Sequence, residues 1–312
     1  PAGGATDPGV WAGGAAGPAS RSGGAGRASR AGGGVGPASR AGGAAGPVPP
    51  VGGAAVPVLV EQRGQVRWLR LNRPQRRNAI DPALLSALDS AVADAADSPD
   101  TAVVVLAGTG PSFCAGADLR HLRSVAVTGG DPLDFLGRVS ACFDRIERLG
   151  KPVVAAVHGH VVAGGLELAL VCDVVVARAG TLIGDGHVRN GLLPAAGSSV
   201  RLPRRVGEPL ARWLALTGEL LPAEAFTASG FVSAVAAADR FDDLVAATVE
   251  RLRAAAGPAQ TRFKNLLYDV RDLPAGPALT AELAAFGAHW AATDMGAALD
   301  GFLGKSSGEG HG

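Results

Sequence analysis

Cysteine is scarce in this 312-residue chain: Cys114, Cys142 and Cys172 are all it has. Their spacing suits no zinc or iron–sulfur site, and each sits in an apolar segment. An odd set of this kind excludes a disulfide framework and reads as reduced, buried thiols, so a cytoplasmic location is expected. No run of 18 apolar residues is present, so no membrane-spanning helix is expected. Residues 1–56 lack the continuous apolar stretch of a secretory leader. No strand-like run is followed by Gly-x-Gly-x-x-Gly, which leaves nicotinamide binding unsupported. Ser198-Ser199 lacks the Gly-x-Ser-x-Gly frame of a hydrolase nucleophile. Gly301-Phe-Leu-Gly-Lys-Ser is no phosphate loop, because that pattern needs glycine where Leu299 stands.

Charge of one sign is lacking too, since 29 Lys and Arg face 28 Asp and Glu. Residues 1–56 hold four arginines against one aspartate, a net +3, which leaves −2 on the remaining 256 residues. That remainder has no basic field, which argues against nucleic-acid binding. Residues 1–56 are almost entirely Gly, Ala, Pro, Ser, Val and Arg, and Ser20-Arg-Ser-Gly-Gly, Ser29-Arg-Ala-Gly-Gly and Ser39-Arg-Ala-Gly-Gly recur along them. Such a composition buries too little apolar side chain to offset chain entropy, so this tail is expected to be disordered. Residues 57–312 are enough for one domain.

Within residues 57–312, secondary-structure signals alternate. Val66–Leu71, Thr101–Gly108, Val153–Val157 and Val174–Ala177 read as strands, with Leu182-Ile183 continuing the sheet. Asp81-Pro82 and Asp131-Pro132 are helix starts, an N-cap followed by proline at the first helical position. The first helix is expected to end before Ser98-Pro99 and the second at Gly150-Lys-Pro. Beyond Arg201 the chain reads as helical over Pro209–Thr217, Pro222–Ser229, Phe241–Ala256 and Gln260–Val270, and in pieces over Leu279–Leu303. Strand–helix alternation followed by helices predicts an α/β fold with a helical C-terminal region.

Two segments carry chemistry. The strand Val153–Val157 runs into His158-Gly-His-Val-Val-Ala-Gly-Gly-Leu-Glu-Leu-Ala, where a glycine pair opens a helix-like apolar segment holding one acid, Glu167. N–H groups at a helix start are unpaired, and glycine lets a ligand oxygen approach them closely. The Thr101–Gly108 strand leads into Phe113-Cys-Ala-Gly-Ala-Asp-Leu, where Gly116 and Ala117 leave the sheet and free a second N–H. An acid beside such amides suits proton transfer next to a carbonyl. His158 and His160, two residues apart on one side of a strand, superficially resemble a metal set with Glu167.

These segments, with Asn72-Arg-Pro…Asn78-Ala-Ile, Gly191-Leu-Leu-Pro, Leu202-Pro-Arg-Arg-Val-Gly and Leu216-Thr-Gly-Glu, resemble the crotonase (enoyl-CoA hydratase/isomerase) family in order and spacing from about Val58 to Lys305. The resemblance implies a ββα spiral core over about residues 57–200. It also implies a helical region over about 201–312 that assembles homotrimers or dimers of trimers. It implies an acyl-CoA thioester as substrate, no further cofactor, and no metal at His158, His160 and Glu167. The thioester oxygen would be held by the N–H groups of Ala117 and Gly164, with Glu167 as first proton-transfer group. In the family's hydratases a second glutamate stands four residues before the Gly-Leu-Leu-Pro-like turn; here that position is His187. Histidine titrates near ~6.5 and takes either proton role at neutral pH, and Asp185 stands two residues away to orient it. For CoA the resemblance points to Arg76, Arg77, Asn78 and Ala79, to Arg120, and to Phe302 and Lys305. Hydration of a 2-enoyl-CoA is the first expectation. Isomerisation, thioester hydrolysis and decarboxylation are related enolate reactions, and a CoA-binding scaffold with little turnover is the reading of another class.

Overall fold

The computed structural model describes residues 56–306. The expected disordered tail, residues 1–56, lies outside the described residues apart from Val56. A six-stranded sheet in the order β1-β2-β3-β4-β6-β9 forms the backbone of the fold. β1 (Val58–Arg63) pairs antiparallel with β2 (Val66–Leu71). β3 (Val103–Gly108), β4 (Val153–Val157), β6 (Val174–Arg178) and β9 (Ala234–Ala236) then follow in parallel. Parallel strands need crossovers, and helices supply them. α1 (Pro82–Asp97) joins β2 to β3, while α2 (Leu119–Thr128) and α3 (Pro132–Glu147) join β3 to β4. A second sheet of β5 (His160–Val162), β7 (Leu182–Gly184) and β8 (Leu221–Pro222) lies within the later connections.

The uninterrupted apolar run of β3 has a plain cause. Val104 and Leu106 enter one core with Leu84, Leu88, Phe143 and Ile146 of α1 and α3. Val103 and Val105 enter another with Val154, Val176 and, from α7 (Phe241–Ala254), Val245 and Val249. A strand covered on both faces cannot alternate apolar with polar. The helix starts also follow their chemistry: Asp81 accepts from the Leu84 N–H at 2.9 Å and Asp131 from the Leu133 N–H at 2.8 Å, each followed by proline.

One expected helix is not present. Pro222–Ser229 contains the end of β8 and a single 3-10 turn, Ala223–Phe226. Pairing of Leu182 with Pro222 and donation from the Ala223 N–H to the Thr181 carbonyl at 2.9 Å hold the chain extended. Gly230, at φ 75°, then turns it away. Outside the expectations lay the edge strand β1, the short strands β5, β8 and β9, and α2, which buries no residue. So did α5 (Ser198–Val206), which precedes α6 (Glu208–Thr217). The C-terminal helices are α8 (Pro258–Val270), α9 (Ala275–Ala291) and α10 (Met295–Ser306). Among the described residues no helix is long and apolar enough to cross a membrane.

Candidate active site

Two loops leave the sheet side by side and are locked together by backbone. The Phe113 and Cys114 N–H groups donate to the carbonyls of His158 and His160 at 2.8 and 3.2 Å, and Val162 donates to the Cys114 carbonyl at 3.1 Å. Their approach demands glycine. A β-carbon on Gly165 would lie 2.1 Å from the Cys114 carbonyl oxygen, and one on Gly116, already at φ 93°, would lie 3.0 Å from the Gly164 nitrogen.

Ala117 and Gly164 come together in this way. The Ala117 nitrogen lies 3.3 Å from where a Gly164 β-carbon would project. Ala117 forms a parallel bridge with Ile80, in which the flanking Gly116 carbonyl and Asp118 N–H bond to Ile80 at 2.8 Å each. The N–H of Ala117 therefore points the other way, toward the cavity it lines. Gly164 is the first residue of α4 (Gly164–Leu170), a position without an intrahelical acceptor. Among the described residues neither N–H donates to a backbone carbonyl. Before it, Ala163 holds φ 52° and ψ −118°, a conformation rarely adopted by L-residues, anchored by its N–H to the Gly184 carbonyl at 3.2 Å. Strain of this kind, about 1–3 kcal/mol, persists where the surroundings over-determine it, as at sites that must aim a group.

Both residues line a cavity of about 100 Å³ whose wall is largely apolar, from Ile80, Leu122, Leu136, Val139 and Val162. Glu167 and His187 are its titratable lining. Glu167, 3% exposed, turns one carboxylate oxygen to the N–H groups of Ala196 and Ser198, at 2.9 and 3.0 Å. Its other oxygen lies 3.9 Å from His187 Nε2. Burial pushes the Glu167 carboxyl above the usual carboxylate range, and the Ser198 N–H and the charge on His187 only partly oppose it. His187 Nδ1 bonds Asp185 Oδ1 at 2.9 Å. Burial disfavours the imidazolium, but the Asp185 bond, with the charges of Asp185 and Glu167, outweighs it and raises the His187 pKa above the ordinary value. Asp185 itself, though buried, is held below the usual carboxylate range by hydrogen bonds from His187 and Ser198.

The residues expected at CoA are placed unevenly. Arg76 and Arg77 are exposed on the turn that follows β2, Ala79 is half-buried beside them, and Arg120 is exposed in the first turn of α2. Asn78 corrects the expectation of a direct contact. It is fully buried, its amide donates to the Thr109 and Ser112 carbonyls at 2.9 and 2.8 Å, and its oxygen accepts the Arg73 N–H at 2.8 Å. With both donors spent, Asn78 shapes the loop from within. Arg73 reinforces that loop by pairing with Asp81 at 2.9 Å and Asp118 at 3.1 Å. Phe302 and Lys305 lie on α10, but their side chains fall outside what the structure describes. His158 and His160 are engaged elsewhere, with the Gly110 carbonyl at 2.9 Å and Ser112 Oγ at 3.3 Å. Among the described residues no group of three or more His, Cys, Asp or Glu is arranged to hold a metal.

Sequence reasoning missed Ala196 and Ser198. The available signal was the start of α5, where free N–H groups gather behind Gly197 at φ 111°.

Residues 61–308 match the enoyl-CoA hydratase/isomerase family model. A Rhizobium meliloti protein described as a probable enoyl-CoA hydratase is 34% identical over 254 residues, 81% of this chain and 96% of its own length. The 2,3-dehydroadipyl-CoA hydratase of Escherichia coli is 37% identical over 184 residues, 58% of this chain and 70% of its own. The crystal structure of an enoyl-CoA hydratase from a Polaromonas species superposes with a TM-score of 0.75 at 29% identity, covering 80% of this chain and 97% of that one. The α/β fold with its C-terminal helices, the paired loops and these matches agree: the chain belongs to the enoyl-CoA hydratase/isomerase, or crotonase, family.

Proposed function

We propose that the protein hydrates a 2-enoyl-CoA, with the thioester oxygen accepting hydrogen bonds from the N–H groups of Ala117 and Gly164. The observation that carries this reading is the meeting, in one apolar cavity, of two uncommitted amides with Glu167 and His187 3.9 Å apart. Addition of water to the β-carbon pushes electron density onto the thioester oxygen, and preset amides meet that charge without reorganising. Each such donor is worth roughly 3–4 kcal/mol, about 10²–10³ in rate. Glu167 takes a proton from the attacking water, and His187 supplies one to the α-carbon, so that H and OH are added and no co-reactant is needed. A pair of proton carriers favours hydration over isomerisation, for which one base moving a proton between carbons suffices.

We assign Arg76, Arg77, Ala79 and Arg120 to the pantetheine and phosphates of CoA on the family resemblance; the three arginines are exposed, and guanidinium groups suit phosphate. We assign Phe302 and Lys305 to the same CoA end on the family resemblance. Phe263, Leu267, Leu279, Leu283, Phe286 and Trp290 leave a large apolar face exposed on α8 and α9, which supports assembly into homotrimers through these helices. The three free, buried cysteines, each thiol pushed up to about 12 by burial, support a reducing cytoplasmic setting. Incubation with crotonyl-CoA tests the reaction: loss of enoyl absorbance with formation of 3-hydroxyacyl-CoA is expected. Absence of product across an enoyl-CoA panel, together with no binding to immobilised CoA, would end the proposal.

A further inference from the structure

Ser198 touches both halves of the proposed proton-transfer pair. Its N–H donates to Glu167 Oε1 at 3.0 Å, and its hydroxyl donates to Asp185 Oδ2. Asp185 Oδ1 in turn accepts from His187 Nδ1 at 2.9 Å and from the His187 backbone N–H at 3.3 Å. Ser198, Asp185 and Glu167 are all buried, at 2%, 3% and 3% exposure, so none of these partners is exchanged for bulk water. We propose that Ser198 is a positioning residue that fixes the tautomer of His187 and holds its Nε2 in register with Glu167, so that both groups act on the same water and substrate.

A serine hydroxyl has one hydrogen, and here it is spent on Asp185. Asp185, ionised and acceptor-only, can bond His187 only if Nδ1 carries the proton. With Nδ1–H fixed on Asp185, the ring aims Nε2 toward Glu167 Oε2, 3.9 Å away, where the charged ring carries the proton it gives up and the neutral ring is bare. That gap is too long for a direct hydrogen bond, and an oxygen placed between the two can bond both. A capping serine would use its hydroxyl differently, accepting a backbone N–H two or three residues on. Ser198 is the first residue of α5 and sends its hydroxyl 13 residues back instead. The titratable groups facing His187 are Asp185 on its own loop and Glu167 on α4. Across the loop, α6 presents Glu208 and Arg212, which are exposed and paired with each other.

This inference rests on the hydration reading, and its test separates the two. Ser198→Ala keeps the N–H that holds Glu167 and removes only the hydroxyl. Its kcat with crotonyl-CoA is expected to fall roughly 10–100-fold with KM little changed, and Ser198→Thr, which restores a hydroxyl, is expected to recover most of the loss. In a His187→Ala background the same Ser198→Ala change should alter kcat by less than about twofold, because its effect runs through the ring. A readout without turnover is the Nδ1–H proton resonance of His187 in the free protein, identified by its absence in His187→Ala. It should be sharp and downfield in wild type and Ser198→Thr, and lost to exchange in Ser198→Ala. A Ser198→Ala variant that retains that resonance, or that loses the same factor with and without His187, overturns the proposal. Absence of hydratase turnover in a wild type whose resonance follows this pattern would instead remove the hydration reading and leave the positioning role standing.

Discussion

Replacing Glu167 with glutamine or with alanine separates its chemical role from its structural one. The carboxylate accepts two buried N–H groups, from Ala196 and Ser198, through a single oxygen. A glutamine carbonyl can keep both bonds, but its amide cannot take a proton from water. Glu167→Gln should therefore lose about 10²–10⁴ in kcat/KM, the usual contribution of a positioned proton carrier. Alanine loses the same chemistry and also orphans both donors, at about 1–3 kcal/mol each. A total of roughly 2–6 kcal/mol corresponds to a fall of roughly 5–20 °C in Tm for a domain of this size. The glutamine variant should behave oppositely on stability. Burial raises the Glu167 pKa in the folded state above its unfolded value, so its contribution to stability is fully present below the unfolded pKa and is lost as pH rises through the folded one. At neutral pH the native protein carries that burden, whereas neutral glutamine does not. The Tm of Glu167→Gln should match wild type near pH 4 and exceed it increasingly toward pH 7. Scanning calorimetry over that range, paired with steady-state kinetics, reads both quantities. A glutamine variant within about tenfold of wild-type kcat/KM, or a stability gap that narrows as pH rises, refutes the reasoning.

Gly164→Ala and Gly165→Ala should separate activity from folding although the positions are adjacent. A β-carbon on Gly164 sits 3.3 Å from the Ala117 nitrogen, in the space a thioester oxygen would occupy, so turnover should drop about 10²-fold or more with modest loss of Tm. On Gly165 it would meet the Cys114 carbonyl at 2.1 Å, so yield and Tm should fall first. His187 is held above the ordinary imidazole pKa, so activity needing its protonated form should persist above pH ~6.5 and decline as pH rises through the raised value. In His187→Gln that alkaline limb should vanish and kcat should fall about 10²–10⁴-fold, as pH–rate profiles will show. Arg76→Ala with Arg77→Ala should raise KM for the CoA thioester several-fold and leave kcat unchanged, with the effect shrinking at high salt.

How much of the fold was legible depended on how strongly each element advertised its burial. The central strands were readable because both faces are covered, so Val103–Gly108 and Val153–Val157 are continuous apolar runs. α1 and α3 were readable because Asp-Pro caps coincide with a helical apolar stripe. β1 was not, because five of its six residues are exposed at the sheet edge and no alternation survives. β5 and β9 have three residues each, too few for any period to show. α2 has its cap in Asp118, but none of its residues is fully buried, and Leu119 and Leu122 line the cavity instead of joining the buried core. Pro222–Ser229 misled because helix formers there are overruled by a strand pairing 40 residues away, Leu182 with Pro222.

The site divides along the same line. Gly164, Ala117 and Glu167 were legible because each is a local signal: a glycine pair at a helix start, a chain leaving a sheet, an acid in an apolar turn. Their convergence was not local, and neither was the direction of any hydrogen bond. Asn78 shows the limit, for a residue type suited to a ligand proves to have every donor committed inside the loop. Ser198 shows the converse. It stands 31 residues from Glu167 and 13 from Asp185, and only the packing of α4 against α5 makes it a neighbour of both. A histidine in the place of a carboxylate needs a partner that sets its tautomer, a need that glutamate does not have. That requirement follows from the ring's chemistry alone. Which residue meets it is decided by the fold: Asp185, with Ser198 behind it.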